Sequence, residues 1–129
     1  VLDGAKNIAG AEACAAAVAE AFGDGRPRVM VAGMLKGKDA RDMFRALDAG
    51  KARLVVTCPP PSPRAQPAED LAEAARSFGC RSVAAASVAE ALEVALAEAG
   101  DDELVLVTGS LYTVGEARAS LHARLGAEA

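Results

Sequence analysis

Polar residues with ligand-contact chemistry fall in short groups, each placed directly after an apolar run. Asp3, Lys6 and Asn7 follow Val1-Leu2; Lys36, Lys38 and Asp39 follow RVMVAG; Cys58, Ser62 and Arg64 follow LVVT. Ser87 follows SVAA, and Gly109, Ser110 and Tyr112 follow LVLVT. If the runs are parallel strands, all these groups share the carboxyl edge of one sheet, where open α/β sheets bind ligands. The opposite edge receives helix-ending sequence such as Gly23–Gly25 and Gly100–Asp102. The opening VLDGAKNIAG is the organising stretch: the four later strand ends are expected to converge on it and build half of an active site.

Several of these residues also have a purely local reading. Asp3 and Ser110 suit helix caps. Lys6, Lys36 and Lys38 suit solvated loops, and Tyr112 suits core filling with its hydroxyl at the surface. The single histidine, His122, falls in the last helix and is read as an exposed residue outside the chemistry.

Two nucleotide motifs are excluded by spacing. GMLKGKD, Gly33 to Asp39, has too few residues between its glycines for a P-loop, and Asp39 stands where Ser or Thr would hold magnesium. DGAKNIAG lacks the G-x-G-x-x-G spacing of a dinucleotide fold. On spacing alone the chain is a parallel α/β domain with a carboxyl-edge site.

The elements that must position these groups alternate along the chain. Val1–Asp3 reads as the end of a first strand and Ala9–Phe22 as a helix, with Val18 and Phe22 as i,i+4 neighbours on its apolar face. Val29–Ala32 reads as a strand buried on both faces. Asp39–Leu47 is a short helix capped by Asp39, and Leu54–Thr57 a third strand. The loop CPPPSPRAQP is stiffened by its prolines, and Pro67 suits the first turn of a helix running to about Phe78. Ser82–Ala85 is a strand. Ser87 and Glu90 form a capping box for a helix to about Ala99. Glu103–Thr108 is the fifth strand and Leu111–Leu125 the last helix. This repetition predicts an α/β, three-layer Rossmann-like domain with a mainly parallel sheet, helices on both faces and right-handed crossovers.

Bulk properties narrow the class. The chain has 129 residues, 52% hydrophobic but 3% aromatic, so one Ala-, Val-, Leu- and Met-rich core is expected across residues 1–129. A net charge of -4 gives no electrostatic support for a nucleic-acid partner. No apolar run approaches the roughly 20 residues of a membrane span. Three cysteines without a CxxC pair read as structural thiols in a reducing cytoplasm. The chain opens in what reads as mid-strand without an initiator methionine, and is expected to be part of a longer protein.

With those readings in place, four segments carry a resemblance. LDGAKNIAGAEA resembles the DGAHNPxG segment that opens the C-terminal domain of folylpolyglutamate and dihydrofolate synthases, members of the Mur ligase superfamily. GMLKGKD resembles that family's loop with a Lys-Asp pair, SPRAQPAEDLA its SPRA segment, and VTGSLYTVGEAR its VTGSLYLVGEAR segment. The resemblance implies an ATP-dependent amide ligase, in which ATP phosphorylates a folate or dihydropteroate carboxylate and the amine of L-glutamate attacks the acyl phosphate. The P-loop and the Mg ligands would belong to a preceding domain of the same chain, and this domain would close over them and be inactive alone. It places Asp3 and Lys38 on the nucleotide, and Lys6, Asn7 and Ser110 on the glutamate or phosphate side. Lys6 stands where the family has His, and Ile8 where it has Pro, which leaves open a different acid acceptor. A peptidoglycan-precursor ligase and a non-catalytic binding module of the same fold are the alternatives.

Overall fold

In a computed structural model, which describes residues 1–23 and 25–128, the alternation of apolar runs and amphipathic segments becomes a layered α/β domain. Helix α1 spans Ile8–Phe22, β1 Arg28–Ala32, α2 Ala40–Ala46, β2 Leu54–Thr57 and α3 Ala68–Arg76. They are followed by β3 at Arg81–Ala84, α4 at Val88–Glu98, β4 at Leu104–Thr108 and α5 at Leu111–Glu128. The four strands are all parallel, in the order β3-β2-β1-β4.

β1 lies inside the sheet with helices over both faces, and all five of its residues are buried. Its side chains alternate between two cores, as a pleated strand requires. Met30 and Ala32 pack with Cys14 and Val18 of α1, Met43 and Phe44 of α2, and Leu71 and Ala75 of α3. Val29 and Val31 pack with Val88, Ala91, Leu92 and Ala95 of α4 and Ala117 of α5. Small alanines let the helices approach closely, which explains how a chain with so few aromatics fills its interior.

The expected first strand is shorter than anticipated. Val1–Asp3 makes only an isolated parallel bridge, Leu2 to Val107, held by Asp3 N–H to Val107 O at 2.9 Å and Val107 N–H to Val1 O at 2.8 Å. Phe22 differs too. Val18 is 3% exposed, but Phe22, in the last turn of α1, is 40% exposed. Caps behave as anticipated: Asp39 Oδ1 accepts from Asp42 N–H at 3.0 Å, and Ser87 Oγ accepts from Glu90 N–H at 3.1 Å. Pro67 sits one residue earlier than expected, as the cap of α3. The three cysteines are free and buried, and burial pushes the Cys58 thiol up to about 12. Among the described residues, no helix is long and apolar enough to cross a membrane.

The amino edge of the sheet is tied by one charged clasp. Arg53 grips Glu103 through two hydrogen bonds, of 2.8 and 2.7 Å, and also donates to Glu98 O at 2.7 Å. The Arg53 hydrogen bond, then the Gly100 N–H, holds the Glu103 carboxyl down at about 2, against its ordinary 4.5. A depressed folded-state pKa contributes stability that is fully present above about pH 4.5 and is lost as pH falls through about 2. Glu103→Gln should therefore flatten the acid limb of the stability curve in that window, read by urea melts at stepped pH.

Candidate functional site

Sheet order decides where a ligand can sit. The chain steps from β1 to β2 on one side and reaches β4 on the other, so β1/β4 is the topological switch point. The loops leaving β1 and β4 therefore diverge at Gly33 and Gly109. Both glycines are required by close approach. A Cβ on Gly33 would stand 2.6 Å from Thr113 Oγ1 and 2.8 Å from Cys58 O. Gly109 has φ +111°, and a Cβ there would overlap the Gly33 carbonyl oxygen.

Beside this crossing is a cavity of about 310 Å³, lined by Lys6, Leu35, Lys36, Gly37, Lys38, Arg64, Gly109 and Ser110. Four cations and no carboxylate line it. Among the described residues none of the four makes an ion pair. The nearest acid in sequence, Asp39, is turned to cap α2. Unpaired cations around one concavity favour an anion with more than one charged oxygen, and guanidinium and ammonium groups suit carboxylate or phosphate.

Two loops present these cations, and hydrogen bonds fix their spacing. Lys36 N–H donates to Arg64 O at 2.6 Å and Gln66 N–H to Met34 O at 2.9 Å, around an antiparallel bridge from Leu35 to Ala65. The Gln66 side-chain amide adds bonds to Leu35 O and Lys38 O, each 3.0 Å. The loop after β1 and the proline loop after β2 are thus tied to each other.

Ser110 is 2% exposed and caps α5. Its Oγ accepts from Thr113 N–H at 3.0 Å and lies 2.8 Å from Thr113 Oγ1, which donates its only proton to Gly33 O at 3.0 Å. Proton counting therefore makes Ser110 the donor in the Ser110–Thr113 contact. Its hydroxyl proton is committed, and its first effect is to hold the Gly33–Gly109 crossing at the cavity's rim.

The structure brings Lys6, Lys38 and Ser110 together and leaves Asp3 and Asn7 beside the cavity rather than in its lining. Asp3 Oδ1 accepts from Ala5 N–H at 3.0 Å, and Asn7 Oδ1 from Gly10 N–H at 2.8 Å as the cap of α1. Those bonds shape the turn that carries Lys6. The loop after β3 stays out of the lining, so three strand ends rather than four meet the opening turn; Ser87 is a cap. Lys36 and Arg64 join the site although no role was assigned to them from sequence. The signal was their position after strands, but only pairing of the two loops makes them neighbours. Tyr112 is 54% exposed, so it fills no core, and His122 is exposed as expected.

A larger groove of about 550 Å³ runs between α1 and α2, floored by Ala15, Ala16, Ala19 and Ala46. It lies away from the strand ends. Its one cation, Arg45, is already paired with Asp42 at 3.0 Å. Its other charged lining residues are the carboxylates of Glu12, Asp42 and Asp48, so it presents no unpaired cation to an anionic ligand. Among the described residues no cluster of three or more His, Cys, Asp or Glu could hold a metal.

Fold and cavity together define a parallel α/β domain with a cation-lined carboxyl edge. Comparison with known proteins makes the class specific. The profile of the family described as "Mur ligase, glutamate ligase domain" matches residues 1–111. A probable bifunctional folylpolyglutamate synthase/dihydropteroate synthase of Halobacterium salinarum is 40% identical over 119 residues, 92% of this chain and 14% of that protein. The solved Mycobacterium tuberculosis folylpolyglutamate synthase complexed with ADP superposes with TM-score 0.80 at 34% identity, over 91% of this chain and 28% of that one. Escherichia coli FolC in complex with DHPP and ADP gives TM-score 0.81 at 30% identity, over 95% and 28%. The chain belongs to the Mur ligase glutamate ligase domain family. It spans about 14% of the length of the curated relative and 28% of the solved ones, and its α/β Rossmann-like fold is the one expected from sequence.

Proposed function

We propose that this domain is the amino-acid-binding part of an ATP-dependent ligase that adds L-glutamate to folate or dihydropteroate. The observation that carries the proposal is the cavity lined by Lys6, Lys36, Lys38 and Arg64 without an opposing acid. Its relatives' names support the folate acceptor over a peptidoglycan precursor, since they are folylpolyglutamate synthases.

In this reading a preceding domain of the full-length protein binds ATP and Mg, and ATP supplies the phosphoryl group that activates the acceptor carboxylate. The residues of this chain do the rest of the positioning. Lys38, which the resemblance assigns to the nucleotide, is reassigned in this proposal to the amino acid because it lines the same cavity as Lys36 and Arg64. Lys36 and Lys38 on one loop and Arg64 on the other hold the carboxylates of L-glutamate, leaving its amine free to attack. Lys6 adds a fixed point charge near the phosphoryl oxygens. Asp3 faces the nucleotide, and Asn7 fixes the turn between them. Ser110 keeps the rim of the cavity in register through Thr113. Closure of this domain over the preceding one would exclude water from the acyl phosphate and bring the amine to it.

The test is a comparison of the 129-residue chain with the full-length protein, using dihydropteroate, folates and muropeptide precursors as acceptors. The full-length protein should release ADP and form the glutamyl amide with a folate-type acceptor, and the 129-residue chain should do neither. ATP turnover by the 129-residue chain at the full-length rate would contradict the division of labour. Amide formation only with muropeptide precursors would contradict the acceptor.

A further inference from the structure

Gln66 lies outside the cavity's lining, yet its side chain touches both cation-bearing loops. Both N–H bonds of its amide are used, one on Leu35 O and one on Lys38 O, at 3.0 Å each. Those two carbonyls bracket Lys36 and Gly37. Gly37 has φ +93°, so the segment makes a tight turn there, and an ideal Cβ on it would lie 3.8 Å from the Arg64 guanidinium. Backbone bonds already join the loops at Met34–Gln66 and Lys36–Arg64, but among the described residues no backbone bond of this ladder reaches Lys38. The side chain supplies that last rung.

We propose that Gln66 is a positioning residue of the cavity: its amide sets the distance between the Lys36–Lys38 turn and Arg64, so that the two loops grip the separate anionic groups of one ligand. This rests on reading the cavity as the amino-acid site. The physical reason is preorganisation. Exposed lysines carry large side-chain entropy, and a turn anchored at both ends removes the backbone share of the ordering that binding would otherwise require. The effect reaches the ligand only through Lys36, Lys38 and Arg64.

Gln66→Leu keeps side-chain bulk and removes both donors. The backbone ladder does not depend on the side chain, so the fold survives. Gln66→Glu removes the donors and adds a carboxylate facing two carbonyl oxygens. In the nucleotide-bound full-length protein, whose ATP site is already filled, inorganic pyrophosphate serves as a probe of the cavity's unpaired cations that needs no turnover. Gln66→Leu should weaken pyrophosphate by about tenfold, the loss expected for two hydrogen bonds that order a loop. Amide exchange at Lys36–Lys38 should quicken, with the melting temperature within a few degrees of wild type. Gln66→Glu should lose at least as much. Equal pyrophosphate affinity in wild type and Gln66→Leu, or no binding by wild type, overturns the proposal. The amino-acid reading fails separately: L-glutamate then does not compete with pyrophosphate, while Gln66→Leu still loses its affinity for the probe.

Discussion

Replacing Lys38 by Ala in the full-length protein should raise the KM for the amino-acid substrate by about 30-fold, the equivalent of one charge-assisted hydrogen bond worth about 2 kcal/mol. The loss should fall on KM rather than on kcat. In the proposed site Lys38 would contact a carboxylate present in both the ground state and the transition state, and so would contribute uniform binding. Lys38 makes no ion pair among the described residues, and its exposed side chain packs in no core, so the melting temperature should not move. Lys38→Arg should recover part of the affinity because the charge is kept while its geometry changes. Initial-rate kinetics at varied L-glutamate and saturating ATP read the effect. A wild-type KM in Lys38→Ala would remove this residue from the site.

Gly109→Ala should be the most damaging glycine-to-alanine change among the described residues. The added Cβ would overlap the Gly33 carbonyl oxygen, and neither backbone can yield without opening the β1/β4 pair. A φ of +111° adds strain for any residue with a side chain. Together these should cost at least about 3 kcal/mol of folding stability. Gly115→Ala is the matched control. It adds the same methyl inside α5, where a Cβ meets nothing within 4 Å, and should stabilise by up to about 1 kcal/mol. Urea denaturation of the two variants separates a local requirement for glycine from a general effect of alanine. Two glycines of similar appearance in sequence thus have opposite expected signs, because only Gly109 stands where two strand ends diverge.

Much of the fold was legible because its signals are local. RVMVAG reads as a doubly buried strand without knowledge of its neighbours, and Asp39 and Ser87 cap their helices through bonds three residues long. Phe22 was misplaced because the i,i+4 rule assigns a face but not where the partner layer ends. Val1–Asp3 was drawn as a strand end, yet only Leu2 bridges to β4, since apolar character does not set the extent of pairing. The site was legible at the level of its edge. Lys6, Lys38 and Ser110 could be grouped from their places after strands. Arg64 and Lys36 could not be joined to each other, because the bond from Lys36 N–H to Arg64 O links loops that leave different strands. Ser110 shows the remaining gap: its role as a cap of α5 was legible, but the Thr113–Gly33 chain that its hydroxyl joins is a tertiary arrangement no spacing rule encodes.

The central claim is that the switch-point cavity, and not the larger α1–α2 groove, holds the amino acid. Backbone amide shifts of the nucleotide-bound full-length protein, followed as L-glutamate is added, test it most directly. The account predicts saturable shifts at Lys6, Lys36, Gly37, Lys38 and Gly109, moved to about 30-fold higher L-glutamate by Lys38→Ala, with Ala15, Ala16 and Ala19 unmoved. Shifts centred on Ala15, Ala16 and Ala19, with the cavity residues silent, would contradict it.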